Sequence, residues 1–372
     1  MKNLKKVLSL VLALAMALSL MTAAFAADAS DYKDYSKVTY KEAVDVMTAA
    51  GIFNGGDGNN FNPDATLNRE QAAKIITYML VGQEAADKLV TTIAPYSDVA
   101  ANRWSAGSIA YCTNEGIIAG DGNGRFNPTA PVLGTQFAKM LLVALGYDPK
   151  IEKLVGNEWA IKTAKLALSD DVDLDNGMEK LSLSDNLTRE QAAQMAFNAM
   201  KATLVEYEDK GGDIIIGDIT INNGATKATP VTSKVKAEST NISAEKTTDG
   251  LWTVEFAEKY CKDLKVTAND TDAFERPAST WKYKNTEIGT YADDADASYT
   301  TEVKMGTIYS DLGLSKGIAK ANITTYVDGQ KTTSNYDITK GESNNKIGGN
   351  GVLTEVYYDD EAETVVITMV NT

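Results

Sequence analysis

Arg69-Glu70-Gln71-Ala72-Ala73 returns unchanged as Arg189-Glu190-Gln191-Ala192-Ala193, and the fold is decided by how this repeated pentapeptide is read. Each copy opens a stretch with helical apolar spacing and follows a loop of similar length. Self-similarity on this scale marks one supersecondary unit used several times, because a lone helical hairpin cannot bury its own apolar stripe.

Working outward, the first unit reads Gly51-Ile52, Gly56-Asp57-Gly58-Asn59, Phe61-Asn62-Pro63 and then Asn68-Arg69-Glu70. Sixty-five residues on stand Gly116-Ile117, Gly120-Asp121-Gly122-Asn123, Phe126-Asn127-Pro128 and Leu133-Gly134-Thr135. A third unit keeps the ends of the pattern: Trp159 lies 30 residues before Arg189, as Trp104 lies 30 before Gly134. Each unit predicts helix, loop, helix, over about 35–82, 96–147 and 150–204. Ala72, Ala73, Ile76, Met79 and Leu80 share one helical face, and Ala192, Ala193, Met195, Ala196 and Met200 another. The expectation is a three-repeat helical bundle.

The helix starts are specified locally. Asn68 with Gln71 and Thr188 with Gln191 form capping boxes. Leu133 occupies the same place in the second unit and has no side-chain acceptor, which weakens that start by about 1 kcal/mol.

Composition bounds the function. Lys2, Lys5 and Lys6, the apolar run Val7–Leu20 and Ala24-Phe25-Ala26 read as a secretory leader, 1–26, removed from the mature chain. No later run has the ~18 apolar residues of a membrane span, so the exported chain is expected to be soluble. Without the three leader lysines the formal charge moves from −15 to −18. Such a chain does not bind nucleic acid through its overall field, and any anion it holds needs a local basic site. With no histidine, Ser-His-Asp and Cys-His machinery and HExxH zinc sites are excluded. Cys112 and Cys261 read as small buried apolar side chains in separate regions, and so little cysteine in an exported chain suits a Gram-positive surface protein.

Arg69 and Arg189 fall at the first helical position, where a cation opposes the helix dipole. Two readings stand: with the free amides of the first turn the guanidinium forms a carboxylate site, or Arg69–Glu70 and Arg189–Glu190 are solvated surface pairs. The Gly-Asp-Gly-Asn loops lack the acids of a calcium loop; Asp171, Asp173 and Asp175 come closer, but Asn176 occupies the glycine position and Ser182 that of the final glutamate, so no metal or cofactor is expected. Trp104 and Trp159 are packing anchors, sugar-stacking platforms, or both, since an indole can bury one face and offer the other.

On these residues the three units resemble S-layer homology domains, which share the tryptophan near the first helix, Gly-Ile-x-x-Gly, a Phe/Asn/Pro loop and a Thr-Arg-Ala-Glu-like motif, matched here by Leu187-Thr188-Arg189-Glu190. The resemblance covers about Tyr35–Leu204. It implies a pseudo-threefold bundle that anchors an exported protein non-covalently to pyruvylated secondary cell-wall polysaccharide. The ligand arginine of the family falls on Arg69 and Arg189 and its helix-borne lysine on Lys74 or Lys139. Glu70, Glu190, Gly51 and Gly116 carry over with the motifs. Gly134 replaces the second arginine, Asp171 the third Gly-Ile glycine and Thr39 the first tryptophan.

After Glu206 the text changes to Thr, Val, Ile and Tyr with Asp-Gly and Asn-Gly turns. Glu206–Gly212 reads as a linker, and 205–372 as a β-rich, sandwich-like outer region of one or two small domains. Strands are expected at Asp218–Asn222, Trp252–Phe256, Thr324–Asp328 and Val352–Tyr358, the last in a hairpin with Thr364–Met369. The run Arg276-Pro-Ala-Ser-Thr-Trp-Lys-Tyr-Lys resembles surface proteins of gut-type Clostridia that carry such modules, and the ending directly after a strand reads as a piece of a longer protein. The whole is expected to be a non-enzymatic cell-surface protein, with self-association in a lattice as a second partnership. The rival is a wall-anchored glycoside hydrolase or adhesin, since paired carboxylates need no histidine.

Overall fold

A computed structural model describes residues 27–216, 219–236, 246–360 and 362–371, and the expected leader lies outside them. The N-terminal region is carried by α1 (Lys41–Ala49), α2 (Arg69–Val81), α3 (Ala106–Asn114), α4 (Gly134–Ala144), α5 (Trp159–Ala167) and α6 (Arg189–Lys201). These are the helix pairs that the repeat predicts. Both complete capping boxes form: Gln71 N–H donates to Asn68 Oδ1 and Gln191 N–H to Thr188 Oγ1, and the glutamine side chains return to the caps. Before α4 half the device survives, Leu133 N–H donating to Gln136 Oε1 at 3.1 Å.

The packing order is cyclic. Helix α2 lies on α3, α4 on α5, and α6 on α1, so the second helix of each unit rests on the first helix of the next. A ring of backbone bonds joins the chain just before the second helices. Leu67 N–H donates to Leu187 O at 2.9 Å, Leu187 N–H to Val132 O at 3.0 Å, and Val132 N–H to Leu67 O at 3.0 Å. All three side chains are buried, as are Ala72, Ala73, Ile76, Met79, Ala192, Ala193, Met195, Ala196 and Met200 of the expected stripes. Leu80 is only half-buried. Gly51 and Gly116 terminate α1 and α3 with φ of +71° and +70°, a conformation that disfavours any side chain.

Beyond α6 the strands appear with shifted bounds. Val352–Asp359 and Thr364–Asn371 form the hairpin, Asp359 opposite Thr364. Ile219–Asn223 pairs with Gly212–Ile216, Asp218 lying outside the described residues, and the strand expected at Thr324–Asp328 runs Ile323–Val327. Trp252–Phe256 is strand only at Trp252–Thr253. Phe256 instead opens α7 (Phe256–Tyr260), because Glu258 accepts the Glu255 N–H and so starts a helix. Glu206–Gly212 is not a free linker. Val205–Glu206 pairs with Thr229–Pro230, Gly212 opens a strand, and Val205 N–H donates to Leu145 O at the end of α4.

The chain divides into two compact units, the first running to Lys265 with Lys282–Ile288 added, the second holding Val266–Trp281 and Gly289–Thr372. In the second, a five-stranded mixed sheet has the spatial order 297–299, 352–359, 364–371, 323–327, 330–333. Ile323–Val327 runs parallel to Val365–Met369. Its core sets Val356, Val365 and Ile367 of the sheet against Met305 and Ile308 of α8 (Met305–Asp311). That face is closed by a helix, which the alternation of strand residues alone did not signal.

Candidate functional site

Arg69 and Arg189 are the first residues of α2 and α6, and each reaches into the loop of another unit. Arg69 Nε donates to Phe126 O at 2.8 Å and Nη2 to Ala119 O at 3.0 Å, with the guanidinium 4.5 Å from the Phe126 ring centroid. Arg189 repeats the arrangement on the first unit: Nε to Phe61 O at 2.9 Å, Nη2 to Asn54 O at 3.1 Å, and 5.1 Å to the Phe61 ring. Asn54 and Ala119 each stand three residues after the helix-stopping glycine, so Gly51 and Gly116 act here by setting where those carbonyls lie.

Among the described residues, neither guanidinium has an acidic group within ion-pair distance. Burial lowers both pKa values, while Tyr32 and Asp34 near Arg189, and Tyr96, Asp98 and Asp121 near Arg69, act the other way. An arginine stays protonated under such shifts. Two half-buried cations thus sit on aromatic faces, bonded directly only to carbonyl oxygens, with the aspartates acting from beyond ion-pair distance. A carboxylate arriving from solvent would supply the missing counter-charge.

The solvated Arg–Glu pairs do not form. Glu70 is buried and takes Arg103 Nε and Nη2 at 2.7 Å each, plus the Ser105 hydroxyl at 2.5 Å. Burial pushes its carboxyl up, and the Arg103 and Ser105 bonds outweigh this and hold it below the usual range. Glu190 is also buried and accepts the Thr39 N–H at 2.8 Å. Each glutamate ties its helix to the start of the next unit, leaving the arginine beside it unpaired.

The two aspartates that frame the sites escaped the sequence reading. Asp34 accepts the N–H groups of Phe61 and Asn62, both at 2.7 Å, and Asp98 those of Phe126 and Asn127, both at 2.8 Å. Tyr32 and Tyr96 pack on the same phenylalanines. The signal is the repeated Tyr-x-Asp of Tyr32–Asp34 and Tyr96–Asp98, upstream of the first helix of each unit.

The lysines and tryptophans fare unequally. Lys74 Nζ is bound by Asp87 at 2.8 Å and lies 4.9 Å from the Tyr78 ring, so its charge is spent. Lys139 is half-buried, which lowers its pKa, and its Nζ lies 5.6 Å from the Trp159 ring. Gln194 stands where a third lysine would fall and bonds to Asn198 and Asn176 O. Trp104 is 56% exposed, so it is not the buried anchor between units. Gly134 is enclosed: a Cβ there would stand 2.7 Å from Leu183 Cα, and the amides of Gly134 and Thr135 donate to Asp185 O and Leu183 O. The backbone pattern around the missing arginine is kept, but the space is filled.

What the region defines is a helical-repeat module with two preformed cationic crevices. The S-layer homology domain model matches residues 31–73 and 95–138, and these two segments are S-layer homology domains. The chain is 26% identical over 374 residues to a cell surface protein of Thermoanaerobacter kivui, covering 100% of this chain and 44% of the relative. It is 27% identical over 213 residues to a surface layer protein of Brevibacillus choshinensis (57% and 18%). Over 358 residues it is 23% identical to the surface-layer 125 kDa protein of Lysinibacillus sphaericus (92% and 27%). The chain thus spans less than half the length of each of these relatives. No helix among the described residues is long and apolar enough to cross a membrane.

Proposed function

We propose that this chain belongs to a cell-surface protein of a Gram-positive bacterium, held to the wall by its N-terminal module. In this reading 27–204 is a pseudo-threefold bundle, a symmetry supported by the cyclic helix packing and the ring through Leu67, Val132 and Leu187. Arg69 and Arg189 engage the ketal-pyruvate carboxylates of a secondary wall polysaccharide, with Trp104 lining the first cleft. The second cleft, without its arginine, relies on Lys139 over Trp159. The region after 205 faces outward as spacer or lattice surface and carries no catalysis.

The observation that carries the reading is the pair of guanidiniums, each fixed by two carbonyls of another unit and lacking an acidic partner. Two linked weak sites suffice for firm attachment through effective concentration. The test is binding of the whole chain to purified wall polymer before and after chemical removal of pyruvate. Binding is expected to collapse after removal, and equal binding would reject the carboxylate mechanism.

A further inference from the structure

A second basic site lies within the first compact unit, away from the arginines' aromatic faces. An open cleft of about 740 Å³ is bounded by the ends of α1 and α2, by Lys259–Asp263 and by Tyr283–Lys284. Four ammonium groups border it, those of Lys88, Lys259, Lys262 and Lys284, against the two carboxylates of Glu84 and Asp263. In a chain of formal charge −15 this is a local reversal of sign.

The charges are not all spent internally. Glu84 takes Lys88 at 2.6 Å. Among the described residues, Lys259, Lys262 and Lys284 have no acid within ion-pair distance, although Lys284 also feels Glu84 from farther off. Lys259 Nζ lies 5.0 Å from the Tyr260 ring centroid and Lys284 Nζ 5.3 Å from that of Tyr283, so each ammonium is held over an aromatic ring. Ammonium groups held beside tyrosine rings suit the acidic groups of a charged sugar. The cleft and the Arg189 site share one residue: Asn54, whose carbonyl receives Arg189 Nη2, also lines the cleft.

We propose that this cleft binds an anionic glycan strand, with Lys259, Lys262 and Lys284 pairing its acidic groups, so that a strand seated at Arg189 continues into it. The proposal rests on the wall-polymer reading only for the nature of the ligand. Its consequence is that residues beyond the three repeats share in attachment.

The probe is tetragalacturonate, titrated into the whole chain by calorimetry, with a neutral tetrasaccharide in parallel. Lys259→Gln/Lys262→Gln/Lys284→Gln is expected to weaken tetragalacturonate binding tenfold or more, and the corresponding triple arginine variant to retain it. Lys316→Gln/Lys320→Gln/Lys340→Gln, elsewhere on the chain, is expected to change nothing. Unchanged binding in the first variant, an equal loss in the last, or equal affinity for the neutral sugar would each overturn the proposal. Arg69→Ala/Arg189→Ala separates the two ideas: a lysine effect that persists in that background supports the cleft even if the arginine reading fails. An arginine effect without a lysine effect sinks the cleft alone.

Discussion

At the scale of single residues, the geometry of the guanidinium matters more than its charge. Arg189 spans Phe61 O and Asn54 O with two different nitrogens, and a lysine ammonium cannot reproduce that fork. Arg189→Lys is therefore expected to lose most polymer binding although the charge is kept, and to destabilise the module by about 1 kcal/mol through the lost carbonyl bond. Surface plasmon resonance on immobilised polymer and a thermal melt read the two effects. Retention of wild-type affinity would show that a bare cation is enough. Gly134 offers an opposite case. Helix propensity predicts that Gly134→Ala stabilises α4 by up to ~1 kcal/mol. The 2.7 Å approach of a Cβ to Leu183 Cα predicts instead a loss of about 1–3 kcal/mol. A melting temperature above wild type would refute the enclosure of this site. The same contact means that Gly134→Arg does not restore a third guanidinium crevice.

At the scale of elements, the buried glutamates are the joints between units, and Glu70 makes its joint sensitive to acid. Its carboxyl is held below the usual value of 4.5, so the folded state binds its proton less readily than the unfolded chain. The stabilisation is complete above about pH 4.5 and drains away as pH falls through the lower folded value. Glu70→Gln should cost about 2 kcal/mol near neutrality, since it weakens two charge-assisted bonds while Arg103 keeps some water. It should also flatten the acid limb of the stability curve, measured by urea titration at several pH values. An unaltered acid limb would place the titration elsewhere.

Much of this level was legible in the sequence. Asn68, Gln71, Thr188 and Gln191 announce the helix starts, because caps are local chemistry, whereas Gly51 and Gly116, read only as part of a repeated Gly-Ile motif, turn out to stop α1 and α3. The partners were not legible. That Arg69 meets Ala119 and Phe126, or that Glu70 meets Arg103, depends on which unit packs on which. Adjacent acid and base suggested a pair that the cyclic packing separates. Phe256 misled for a related reason: an aromatic after Trp252 and Val254 reads as strand until the side chain of Glu258 starts a helix.

At the scale of the N-terminal module, closure changes how it should come apart. In an open stack of repeats the last unit contacts one neighbour and frays at the cost of one interface. Here α6 returns to α1, so releasing any unit breaks two interfaces. The amides of Leu67, Val132 and Leu187 each donate within one ring. Native-state hydrogen exchange should therefore find one opening free energy for the three, equal within about 0.5 kcal/mol. Met195→Ala, in the buried face of the third unit, should cost about 2–5 kcal/mol and lower protection at all three amides together. If protection fell at Leu187 while Leu67 and Val132 kept theirs, the units would be opening singly. The two arginine crevices, each built from two units, would then have no common frame to hold them open.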